Sequence, residues 1–367
     1  MDAVVRDVRP PRPAPLVVRL GAVAWMRSNL FSSPANSALT LTLLVLIAWA
    51  LPGLVQWALL EAVWMTDDAA TCRVAEGACW AVIGEKHRVM LFGTYPYGEH
   101  WRAGTASAII AGLIVISAFP RFWRPGLLAV WAVGIVAAVV LLVGGVFGLT
   151  SIPTGRWGGV PLTLMLFVTT VVGGMPLALV LALGRRATLP VVRAVCIVVI
   201  ETVRGVPLIT VLFMASLMLP LFMPAGLTVD TLIRAMIGMV VFFAAYAAEV
   251  VRGGLQAIPR GQYEAADSLG LGYWASMRII ILPQALRIVI PPLMNDIIRA
   301  FKNTSFVSII GMFDILGATR AALADPQWIR YAVEAYLFIF ALYFVACYAM
   351  SSYSIWIEHR LARDRNL

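Results

Sequence analysis

Eight separate apolar runs, most of them about as long as a bilayer crossing, limit what this chain can fold into. A transmembrane helix needs about 20 consecutive apolar residues. In hydrocarbon every backbone N–H and C=O must be satisfied within the segment, so such runs are helical. They fall at residues 38–60, 101–119, 126–149, 159–184, 193–222, 229–251, 278–311 and 331–357. The expected fold is an all-α integral membrane protein of about eight transmembrane helices in the lipid bilayer. Charged residues make up only 13% of the chain against 61% apolar, where a soluble domain has about 25% charged. The net charge of +9 is the mark of basic loops on one side of a membrane rather than of nucleic-acid binding. None of the three histidines, His87, His100 and His359, lies in an apolar run, which speaks against a metal or haem inside the membrane.

Lys and Arg counts orient the chain. Residues 1–37 carry Arg6, Arg9, Arg12, Arg19 and Arg27 among prolines. With eight spans, this tail lies on the same side as Arg121 and Arg124, Arg185 and Arg186, Arg252, Arg260 and Arg278, and the 358–367 tail with Arg360, Arg363 and Arg365. That side is expected to be the cytoplasm, with both termini inside. The first outer loop, residues 61–100, carries more acids than bases, including Glu61, Asp67, Asp68, Glu76, Glu85 and Glu99. It also holds Cys72 and Cys79. An oxidising outer compartment would join them in a disulfide; otherwise they are two thiols in a mobile loop. Cys196 and Cys347 lie in spans and read as packing residues.

The longest semi-polar passage of the second half runs from Gly253 to Gln284, between two spans. Pro259 suits the first turn of a helix. Tyr263, Ala266 and Leu269 fall on one face of that helix, and Gly270 suits the position just past its end. A second short helix is expected from about Gly272. Two short helices joined at a glycine make a surface knob that can dock a soluble partner.

In this passage Glu264-Ala265-Ala266, then Gly270, then Ile280-x-Leu282-Pro283 resemble the EAA motif of permease subunits in bacterial ABC importers. Glu201-x-x-Arg204-Gly205-x-Pro207-Leu208 is similar to a signature of the polar amino-acid uptake branch, as is the run from Leu282-Pro283-Gln284 through Asn295 to Lys302-x-Thr304-Ser305. The resemblance covers residues 159–357, and implies a five-helix type I importer core. Residues 38–150 would be three extra helices, as in the longer permeases of general L-amino-acid transporters. The resemblance further implies that residues 253–284 are coupling helices seated in an ATPase, with Glu264 as polar anchor, Ala265 and Ala266 allowing close approach, and Gly270 the turn. It implies three kinds of partner: a second related permease, a cytoplasmic ATPase dimer and a periplasmic amino-acid-binding protein. No G-x-x-x-x-G-K-[ST] phosphate loop occurs in the chain, so ATP and Mg would be bound by the partner ATPase.

Substrate residues are sought among ionisable groups in spans, which are costly there and so functional by default. Asn295, Arg299, Lys302 and Phe306 share one helical face. Pro291-Pro292 is expected to break the helix before them, the usual setting of a transport site. Lys302 or Arg299 would take an amino acid's carboxylate; Asn295, Asn303 or Ser305 would take its ammonium. The alternative is that they pair with one another or with the second permease. Glu201 and Arg204 read as a structural or gating pair next to Gly205 and Pro207, and Glu249 with Arg252 as a pair steadying the knob. Phe242, Phe243, Tyr246, Phe338 and Phe340 read as lipid-facing or packing groups. The combined reading is an ATP-driven amino-acid importer permease, not an enzyme, in the bacterial inner membrane. An ion-coupled secondary transporter is the alternative.

Overall fold

The computed structural model describes residues 21–66, 68–224, 226 and 228–363. The basic residues up to Arg19, together with Asp67 and Arg365, lie outside the described residues. Among the described residues, seven helices are long and apolar enough to cross a membrane. A helix pair bent by 107° makes an eighth crossing if it is one span.

The chain divides into two compact units. The first contains α1 (Ala22–Asn29) and α2 (Pro34–Val55), continued by a π-helical turn to Leu60. Ser33 caps α2 by accepting a hydrogen bond from the Asn36 N–H, and Pro34 occupies the first turn, where no donor is lost. Ala78 N–H donates to Trp57 C=O, and Val63 N–H to Ala78 C=O, which ties residues 73–78 to the end of this span.

The second unit holds everything from Cys79 onward, with residues 64–72. Helix α3 (Ala69–Val74) straddles the boundary between the units in sequence, and the second unit continues with α4 (Ala81–Phe92), α5 (His100–Ala118) and α6 (Gly126–Val143). Cys72 and Cys79 form a disulfide. The loop of residues 61–100 thus contains α3 and α4, and α4 packs on α7 (Gly159–Gly184) and α14 (Ile315–Ala322). Cys79 N–H donates to the buried Glu334 carboxylate at 3.0 Å, and Lys86 pairs with Asp325 at 2.9 Å. Arg102, in the second span, is fully buried. It donates to the Leu141 and Thr150 carbonyls at 2.8 and 3.1 Å and so closes the end of α6.

The core of this unit is α7 (Gly159–Gly184) against α10 (Thr231–Gln256), the most extensive helix pair. Small residues permit the approach, as is usual between membrane helices. Ala244, Ala245, Ala247 and Ala248 are fully buried on α10, and a Cβ at Gly174 would lie 2.5 Å from the Phe243 ring.

The expected span at 193–222 is not one helix. α8 (Pro190–Gly205) and α9 (Leu208–Phe213) meet at 107°. Val206, ahead of Pro207, is extended at φ −112°, ψ 136°, because proline excludes the helical region for the residue before it. The expected break at Pro291-Pro292 does not occur. After α11 (Arg260–Ser268) and α12 (Tyr273–Ser276), α13 runs unbroken from Leu282 to Asn303 with both prolines inside it. Proline's fixed φ is compatible with a helix, and freed carbonyls are tolerated in packed membrane helices. The chain then passes through a 3-10 turn (Thr304–Ile310) to α14 (Ile315–Ala322) and the long α15 (Ala332–Arg363). A two-residue strand, Phe313–Asp314, bridges in parallel to Gly158 and Gly159.

Candidate functional site

The loop between α10 and α13 is built as its residue types require. α11 ends in a Schellman motif: Leu271 N–H donates to Ala266 C=O and Gly270 N–H to Asp267 C=O, with Gly270 at φ +70°. That conformation suits glycine. Ala266 is fully buried, while Glu264, Ala265 and Gly270 are exposed, as is Pro283; Leu282 is half-buried. Leu269 does not join the buried face as its spacing suggested; it is 73% exposed, beside exposed Tyr273 and Trp274. Helix α11 is held from beneath. Tyr263 donates to Leu255 C=O at 3.2 Å, Arg186 donates to the Tyr263 hydroxyl at 3.2 Å, and Gln284 reaches Gln262 at 3.0 Å.

Just above this loop the expected Glu201–Arg204 pair is replaced by a larger cluster. Arg185, past the end of α7, pairs with Glu201 at 2.8 Å and with Glu249 at 2.7 Å. Glu249 also holds Arg252 at 2.9 Å and Arg204 at 3.6 Å. The Glu249–Arg252 pair is the one read from the spacing. Arg185 wins Glu201 because tertiary packing brings three helix ends together, which no single-helix periodicity records. Gly205 and Pro207 form the adjoining break.

A small cavity lies between α7, α9, α10 and α13. Asp296, Arg299, Ala300 and Asn303 line it from α13, Phe242, Phe243 and Tyr246 from α10, and Thr170 from α7. Its free volume is about 20 Å³, room for about one water. Asp296 is buried and its Oδ1 is bonded to Arg299. Asp296 Oδ2 has no partner. Arg299 lies over the Tyr246 ring, 5.0 Å from its centroid.

The proposed substrate residues are thus divided. Arg299 and Asn303 share this cavity. Lys302 and Ser305 face a separate groove of about 480 Å³ with Tyr336, Tyr343 and Cys347. Asn295 is exposed and lines neither. The face of α13 that lines the cavity is 296, 299, 300 and 303, where the spacing suggested 295, 299, 302 and 306. Asp296 was legible as an acid within an apolar span three residues before an arginine. Of the aromatics read as lipid-facing or packing groups, Phe242, Phe243 and Tyr246 line the cavity, and Phe243 is buried in the core.

At the opposite end of α10 from the loop, a pocket of about 210 Å³ is lined by Thr154, Trp157, Asp230 and Met312 among others. Nearby Asp314 caps α14, accepting from the Leu316 and Gly317 N–H groups. Burial pushes its pKa up to about 6 despite these two donors. Among the described residues no group of His, Cys, Asp or Glu could hold a metal ion.

Membrane helices around a small cavity lined by an acid and a base, with a braced loop exposed at one end, define the membrane-embedded part of a transporter. Residues 174–363 match the family model of binding-protein-dependent transport system inner membrane components, and the chain belongs to that family. It is 46% identical to the inner membrane amino-acid ABC transporter permease protein YhdY of Escherichia coli K12, over 97% of both chains. It is 37% identical to the glutamate/glutamine/aspartate/asparagine transport system permease protein BztC of Rhodobacter capsulatus, over 96% of both. The glutamate/aspartate import permease protein GltK of Escherichia coli O6:H1 is 34% identical; the match covers 92% of GltK but 56% of this chain. The protein is therefore a multi-pass inner-membrane permease subunit that works with an ATPase and a substrate-binding protein, and is not itself a catalyst.

Proposed function

We propose that this chain moves L-amino acids inward by alternating access, powered through residues 253–284 by a separate ATPase dimer. The observation that carries this reading is the loop itself: Leu269, Tyr273 and Trp274 are apolar and exposed on a helix pair fastened to the bundle by Tyr263 and Gln284. An exposed apolar patch of this kind fits a protein partner, and its bracing lets force on the loop reach the spans. ATP and Mg belong to that partner, because this chain has no phosphate loop. The loop end is cytoplasmic, as are both termini, and the Asp230 end faces the periplasmic binding protein. A second related permease completes the pore. Asp296 and Arg299 supply the anion and cation that a zwitterionic amino acid requires. In the cavity they pair with each other through Asp296 Oδ1, and substrate displaces that pairing. Asn303, neutral beside them, suits substrates with polar side chains, in keeping with the substrates named for BztC. Asp296 is charge-matched by Arg299, which supports the ATP-driven reading over an ion-coupled one.

The test is uptake of labelled L-amino acids by cells carrying Gly270→Asp. A side chain at φ +70° distorts the loop and places a carboxylate on the docking surface. Uptake is expected to be lost with normal amounts of the chain in the membrane. Normal uptake would refute the coupling role of residues 253–284.

A further inference from the structure

A continuous line of contacts joins the cavity to the coupling loop. Tyr246 on α10 is in contact with two guanidinium groups. Arg299, which lines the cavity, lies 5.0 Å from its ring centroid, and Arg204 lies 5.6 Å from it. The Tyr246 hydroxyl donates to Arg204 C=O at 3.3 Å. Arg204 pairs with Glu249 at 3.6 Å, the longest of that carboxylate's three ion pairs. Glu249 also holds Arg185, whose neighbour Arg186 grips Tyr263 on α11, and Arg252, in the last turns of α10 before the loop.

We propose that Arg204 is the positioning residue through which occupancy of the cavity regulates the coupling loop; this rests on the cavity being the amino-acid site. Both cations draw on the one aromatic ring and repel each other beside it. While the cavity is empty, Arg299 is engaged with Asp296 and Tyr246. When a substrate carboxylate draws Arg299 away, Tyr246 is free to take Arg204 more fully. Arg204 then loosens from Glu249, its weakest-held partner by distance. Glu249 is left to Arg185 and Arg252, the two that lead to α11 and to the end of α10. Arg204 Nε is buried without a hydrogen-bond partner, so the side chain is not locked where it stands. Arg204 is also on the last turn of α8, directly before the break at Val206-Pro207. Its shift therefore acts on the bent span as well as on the loop.

The experiment measures ATP hydrolysis by the assembled transporter in lipid nanodiscs, with its binding protein, with and without a mixture of the twenty L-amino acids. Arg204→Gln is expected to keep unstimulated hydrolysis within about twofold while amino-acid stimulation falls at least about fivefold, the low end of ordinary coupling. Arg204→Lys keeps the charge opposite Glu249 but not the planar stack. It is expected to lose stimulation too, and it carries the test if the glutamine variant fails to assemble. Combining Arg204→Gln with Arg186→Gln should lose less than the sum of the two, as expected on one route. Wild-type stimulation in either Arg204 variant would overturn the proposal. So would a proportionate fall of stimulated and unstimulated rates, which marks a merely structural role. Asp296→Asn separates the two readings: it should raise the half-saturating amino-acid concentration, which the Arg204 variants leave unchanged. An unmoved half-saturation in Asp296→Asn would retire the cavity as the binding site, and with it the origin of the signal.

Discussion

Asp314 shows how one residue's surroundings set a measurable property. It is fully buried, caps a short helix, and has a pKa raised to about 6 from 3.8. A raised carboxyl pKa means the folded state binds the proton more tightly than the unfolded chain. The stabilisation is complete below the unfolded value and is lost as pH rises through about 6. A shift of about two units corresponds to about 3 kcal/mol. Thermal unfolding of the purified protein is therefore expected to show a fall in stability that sets in at about pH 4 and is complete just above about pH 6. Asp314→Asn, which titrates nothing, should flatten that fall. An equal slope in both proteins would exclude Asp314 as its source. Nothing in the local sequence marked this residue; its burial comes from α7 and α14 packing around it.

Helix contacts set the next scale. At the crossing of α10 and α13, a Cβ on Gly254 would lie 2.1 Å from Val289 Cγ1 and 3.1 Å from Ala285 C=O. Gly254→Ala is expected to destabilise the protein by about 1–3 kcal/mol through overpacking. Val289→Ala in the same chain should recover much of that, since the two positions touch. Additive losses in thermal unfolding would show that the crossing is not the limiting contact. The elements themselves were largely legible. Long apolar runs reported most spans, and the residues from Glu264 to Pro283 reported two short helices about a glycine. The breaks were misassigned. Pro291-Pro292 looks like the stronger interruption, yet α13 continues through it, while the single Pro207 ends α8. A proline shows that a donor is missing; whether the helix bends depends on what packs against the freed carbonyls.

For the molecule as a whole, the segment ahead of the family core is attached at definite points. The Cys72–Cys79 disulfide sits next to the Cys79–Glu334 hydrogen bond, and Lys86 binds Asp325. The hydrogen bond from neighbouring Lys86 holds the half-buried Asp325 carboxyl below its ordinary pKa. Replacing both cysteines by serine is expected to lower stability by about 2 kcal/mol, by freeing a short loop in the unfolded chain. It should leave the spans inserted and amino-acid uptake measurable. A melting temperature equal to wild type would show that the loop is held without the bond. By itself the sequence determined that this chain is a bundle of membrane helices with a knob between two of them, because bilayer thickness, glycine's positive φ and proline's missing donor act locally. It also marked the charged residues from Arg299 to Lys302 as exceptional, because hydrocarbon penalises charge wherever it occurs. Only the tertiary structure decided which of them share a cavity, brought Tyr246 to Arg299, and gave Glu201 to Arg185 instead of Arg204. Those choices depend on the angle and approach of helices far apart in the chain. They are set by small residues such as Gly174, Ala244 and Gly254, whose role is to let other groups meet.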